Sequence, residues 1–81
     1  MTAQDTPGID RLTDAEREVL RLAWHGLSNQ QIARLRHSRE DTVKNQLNSA
    51  YARLGLGRHT QKRACAAALL FVHEHPARAA A

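Results

Sequence analysis

The stretch from Gly26 to Leu56 limits what this chain can fold into more than any other. Ser28 opens a short run whose inward positions are Ile32, Ala33 and Leu35. A second run, Val43, Leu47, Ala50 and Leu54, follows at spacings of four, three and four. Such spacings place each set on one face of a helix. Only a few residues separate the runs, so two helices must be joined by a tight turn. The second helix leaves Lys44, Asn45, Asn48 and Ala52 on its other face. Lysine donates to guanine O6 and N7, and asparagine pairs bidentately with adenine. The bland alternative for such a face is a solvated helix surface.

The flanks add two more helices. Thr13 and Glu16 have the spacing of a capping box, which predicts a first helix from Asp14 to about His25. Leu12, Val19, Leu20, Ala23 and Leu27 would line the core, with Arg17 and Arg21 on the opposite side. Gly26 stops this helix. Ser28 and Gln31 form a second box, and that helix ends near Arg36. Ser38, followed by Glu40 and Asp41, reads as the cap of the third helix, which runs over about 39–54 and ends at Gly55 and Gly57. Thr60 caps a fourth helix that reaches His75 before Pro76. Its middle, Ala64 to Val72, is apolar on every side, as in a helix buried all round or covered by a partner chain. No strand pattern occurs. The fold class is therefore all-α, four helices and no sheet. Residues 1–11 read as a flexible N-terminal arm, 12–75 as the domain and 76–81 as a flexible tail.

Composition narrows the function classes. The chain of 81 residues makes one small domain whose core dimerisation would reinforce. Its formal charge of +4 suits a polyanionic partner. Only Trp24, Tyr51 and Phe71 are aromatic, too few for the stacking platforms of single-strand binders, which favours duplex. Cys65 has no partner for an internal disulfide and reads as a small core residue. No stretch approaches the roughly 20 apolar residues of a membrane span. These features predict a soluble, cytoplasmic protein. The five histidines do not form a metal site, since His73 and His75 point to different sides of a helix. No nucleophile, base and orienter cluster appears, and no cofactor loop, so the chain reads as a non-enzyme. Trp24 reads as packing, and Tyr51 either packs or touches DNA backbone.

From Leu12 to Leu56 the chain resembles the LuxR-type helix-turn-helix domain of the FixJ and NarL class. The motifs are Leu12-Thr13, Glu16-Arg17-Glu18-Val19-Leu20, Gly26-Leu27-Ser28-Asn29, Ile32-Ala33, Thr42-Val43-Lys44, Leu47 and Arg53-Leu54-Gly55-Leu56. With about eleven residues ahead of the motif, the chain looks like free-standing members of the spore-coat regulator type. The resemblance implies a four-helix domain with the third helix in the major groove and the fourth carrying the dimer contact. It implies base reading by Lys44, Asn45 and Asn48. Phosphate contacts fall to Ser28, Asn29 and Gln30 at a helix N-terminus, with Thr42, and Arg39, Arg53 and Arg58 flanking the groove. Arg34, Arg36 and Arg63 read as solvated surface. Dimer contacts fall to Ala68, Leu69 and Val72. The chain departs from the family at Arg36, where a leucine is usual, at Ser38, where an apolar residue is usual, and at Arg39, the usual serine cap. These departures predict a turn shortened by one residue, a recognition helix started one residue sooner, and His37 over the core edge.

Three functions follow. The first is a dimeric, sequence-specific regulator bound to double-stranded DNA. The second is an interaction protein that binds RNA polymerase or another regulator through the same scaffold. The third is non-specific DNA coating.

Overall fold

A computed structural model describes residues 8–79. The chain forms α1 (Asp14–Trp24), α2 (Asn29–Leu35), α3 (Glu40–Arg53), α4 (Lys62–Glu74) and a short α5 (Pro76–Ala79), after a 3-10 turn at Ile9–Arg11. Among the described residues there is no strand. The first four helices enclose one core. It contains Val19 and Leu20 of α1, Ile32 and Ala33 of α2, Val43, Leu47, Ala50 and Tyr51 of α3, and Ala66 and Leu70 of α4. Leu12, Leu54 and Leu56 complete it from the connections, with Ala23 and Leu27 half-buried against it. Tyr51 thus packs in the core. Burial pushes its hydroxyl above the ordinary phenol value, opposed by the charge of the neighbouring Arg63.

Both local capping boxes form. The Thr13 hydroxyl accepts the Glu16 amide at 3.1 Å and the Glu16 carboxylate accepts the Thr13 amide at 2.8 Å. Ser28 and Gln31 repeat this at 3.2 and 2.8 Å. Three helices end alike. The amides of Leu27, Ser38 and Leu56 donate to the carbonyls of Leu22, Ala33 and Tyr51, each five residues back. This is the Schellman closure, which needs a left-handed residue just past the cap. Gly26 and Gly55 supply it at α1 and α3. At α2 it is His37, with φ 53, a region where histidine is among the better-tolerated residues.

That closure corrects the expected turn. Ser38 does not cap α3, because it lies one residue before the cap position, and its amide closes α2. Its hydroxyl is buried without a hydrogen-bond partner. Arg39 is the N-cap residue, and it makes no side-chain capping bond. The recognition helix therefore starts from the family's usual cap position, not one residue sooner. His37 is exposed and does not cover the core edge. Leu35, expected inward, is 60% exposed. Two residues beyond the buried Ala33, it lies about 200° around the helix from it.

The N-terminal arm is also corrected, over residues 8–11. Ile9 is buried in the core. Arg17 reaches back to donate to the Ile9 and Leu12 carbonyls at 3.2 and 3.4 Å, so it is not a free outer residue. Residues 1–7 of the expected arm lie outside the described residues, as do 80 and 81 of the expected tail. Positions 76–79 of that tail form α5. Thr60 does not cap α4, which begins at Lys62. His59 Nδ1 accepts the Gln61 amide at 3.0 Å and holds the preceding residues in a turn.

The α1–α4 seam carries an ion pair. Arg21 Nε lies 3.0 Å from Glu74 Oε1, and Arg21 also contacts Glu18. Trp24 stacks on Phe71 beside it, ring centroids 4.5 Å apart, so the packing role expected for Trp24 holds although its outer face is exposed. The hydrogen bond from Arg21 holds the Glu74 carboxyl below its ordinary value of 4.5, partly offset by burial. A lowered folded pKa gives stability that is present above the unfolded value and lost as the pH falls through the folded one. Glu74→Gln is therefore expected to cost up to about 1 kcal/mol at neutral pH, the Arg21 side being exposed. The difference should shrink at acid pH, as the carboxyl takes up its proton below the ordinary value. Urea titrations of both proteins at the two pH values check this, and an equal gap at both would contradict it.

Candidate nucleic-acid interface

The outer face of α3 is polar because its inner face is not. Val43, Leu47, Ala50 and Leu54 turn inward, so Lys44, Asn45, Asn48 and Ala52 are left exposed together. Lys44, Asn45 and Asn48 have no hydrogen-bond or ion-pair partner among the described residues. The carboxylates of Glu40 and Asp41 in the first turn are exposed as well.

The predicted phosphate contacts fall in two groups. Ser28, Asn29 and Gln30 lie at the start of α2. The capping box uses the amides of Ser28 and Gln31, which leaves those of Asn29 and Gln30 at the dipole's positive end. Ser28 and Gln30 are exposed, and Asn29 is half-buried. Asn29 Oδ1 accepts from Arg63 Nη1, and Arg63 Nη2 donates to the Leu27 carbonyl. Arg63 is thus not a solvated surface residue. It pins the start of α4 to the α1–α2 connection and adds positive charge beside the α2 N-terminus. The sequence signal was its place in the run Lys62-Arg63, at the head of an otherwise apolar helix.

The second group is looser. Arg39 and Thr42 are exposed at the start of α3, and Arg58 is exposed in the α3–α4 connection. Arg53, at the far end of α3, is tied to the buried Glu16, its Nε 3.1 Å from Oε1. Its two terminal nitrogens have no partner among the described residues. On α4, Ala66, Ala67 and Leu70 are buried, whereas Ala68, Leu69 and Val72 are only half-buried and Ala64 is exposed. The helix is therefore not enclosed on all sides within one chain. A groove of about 490 Å³ lies elsewhere, between α1 and α4, lined by Arg21, Trp24, Phe71 and Glu74 among others. No residue of α2 or α3 borders it.

No helix is long and apolar enough to cross a membrane, among the described residues. Nor do the described residues gather three or more metal-ligating side chains. Comparison with known proteins gives the family. The DNA-binding transcriptional activator DevR/DosR of Mycobacterium tuberculosis is 42% identical over 59 residues, which is 73% of this chain and 27% of that protein. The chain thus spans about a quarter of that relative's length. No solved structure matches it. Neither comparison bears on the narrower likeness to spore-coat regulators. Residues 10–66 match the family GerE, bacterial regulatory proteins, luxR family, and with well over half its length inside that match the chain belongs to the luxR family.

Proposed function

We propose that this chain is a sequence-specific transcriptional regulator that binds double-stranded DNA with α3 in the major groove. The observation that carries the reading is the exposed, unpaired set Lys44, Asn45 and Asn48 on the outer face of α3. These residues lie at i, i+1 and i+4, a spacing that meets successive base edges. Lysine suits guanine and asparagine suits adenine. Ser28, Asn29, Gln30, Arg39, Thr42, Arg53 and Arg58 contact phosphate and set the register. The chain acts in the cytoplasm as a homodimer through Ala68, Leu69 and Val72, a strip its own fold leaves half-open. Half-sites then lie about one helical turn apart, or closer in a compact dimer.

Selection from random duplexes with the purified protein tests this, followed by titration at two salt concentrations. An enriched motif bound about a thousandfold above random DNA supports the reading. A palindrome supports the dimer. Salt-sensitive binding with no motif leaves non-specific coating. The second reading, a scaffold that binds RNA polymerase, draws on Leu35, 60% exposed beside the turn. Capture of polymerase without DNA, lost in Leu35→Ser, would favour it.

A further inference from the structure

We infer that Asp41 is a fourth base-reading residue, one that selects cytosine. This rests on the DNA-binding reading above. Asp41, Asn45, Asn48 and Ala52 follow one another at i, i+4, i+7 and i+11, and all four are exposed. On a helix of 3.6 residues per turn they form one straight stripe, with Lys44 beside it. Asp41 heads the stripe and lies one turn ahead of Asn45. It lies seven positions before Asn48, about 10 Å along the axis. That is about three base-pair steps at 3.4 Å each. Asp41 therefore enters the groove with the asparagines and reaches a neighbouring base pair. Glu40 differs, since at 100° per residue it lies about 100° around the helix from Asp41, off the stripe.

A carboxylate in that place discriminates strongly. It only accepts hydrogen bonds when ionised. Guanine presents O6 and N7, thymine presents O4, and adenine sets N7 beside its amino group, so each puts an acceptor against the carboxylate. Cytosine alone offers an amino donor with no adjoining acceptor. Asp41 has no ion-pair partner among the described residues that would cancel its charge. In non-specific complexes it meets phosphates and, at most base pairs, a groove acceptor, so it weakens binding except where cytosine faces it. This is rejection of wrong sites by an unpaired charge.

The experiment is parallel random-duplex selection with the wild-type chain and with Asp41→Asn. The wild type is expected to enrich cytosine at one position beside those read by Asn45 and Asn48. Asp41→Asn should lower the preference for cytosine there by about tenfold. The remaining positions should be unchanged, and random duplex should bind more tightly. Thermal melts of the free proteins accompany the selection, because Asp41 also favours the helix dipole. A change in helix stability alone cannot alter preference at one base pair and spare the rest. A wild-type motif identical to that of the variant overturns the role of Asp41 and leaves the DNA-binding reading standing. No motif from either protein overturns both.

Discussion

Gly8→Ala is expected to destabilise the protein by about 2–3 kcal/mol, the scale of removing one large apolar side chain from the core. Gly8 has φ +81, and a Cβ there would lie 1.7 Å from the Arg53 carbonyl oxygen. That carbonyl belongs to the last turn of α3. The Leu56 amide bonded to the Tyr51 carbonyl fixes this end of the helix, so the oxygen cannot swing aside. The 3-10 turn must lift instead. Ile9, only 1% exposed, then leaves the core, and Arg17 loses its contact to the Ile9 carbonyl. The Asp10 carboxylate, 3.8 Å from His73 Nε2, withdraws from α4 as well. For a domain of this size such a loss is a large part of the total stability. Urea denaturation reads it. Ile9→Ala should cost a similar amount, because it empties the same site. The double variant should be scarcely worse than either alone, since both act through one residue's burial. An unchanged midpoint for Gly8→Ala would mean that the turn does not stay docked in solution.

Replacing Asn45 and Asn48 together by alanine is expected to lower affinity for the selected duplex by about a hundredfold. Each bidentate asparagine–adenine pair is worth about 1–3 kcal/mol of discrimination. Both side chains are exposed and neither has a partner among the described residues, so stability should hardly change. Neither is charged. Binding to random duplex and its salt slope should therefore stay as in the wild type. Lys44→Ala is the useful contrast, since removal of a cation should also lower the salt slope by about one. Titration of the selected and a scrambled duplex at two salt concentrations separates these effects. Wild-type affinity in the double variant would refute base reading by this face.

The parts of the fold legible in the sequence are those fixed by neighbours within a few residues. The boxes at Thr13–Glu16 and Ser28–Gln31 formed as expected, because each partner is three residues from the other. The inward set Val43, Leu47, Ala50 and Leu54 followed from its period alone. Exposure of Lys44, Asn45 and Asn48 is the complement of that set, so it was legible too. Ile9 was not. A single apolar residue in a polar segment has no period, and only the assembled core buries it. Leu35 and Ser38 misled for a related reason. Each fits a local pattern, but the five-back closure at His37 ends α2 there and takes the Ser38 amide.

The sequence by itself determined four helices, the inward faces of α1 and α3 and the polar stripe that α3 presents, because helical period and capping act over one or two turns. Only the tertiary structure decided how the ends are tied. Arg63 reaches Leu27 and Asn29, Arg53 reaches Glu16, Arg21 reaches Glu74, and Gly8 lies against Arg53. Those contacts join residues more than thirty positions apart. They depend on where whole helices come to rest, and no local pattern encodes that.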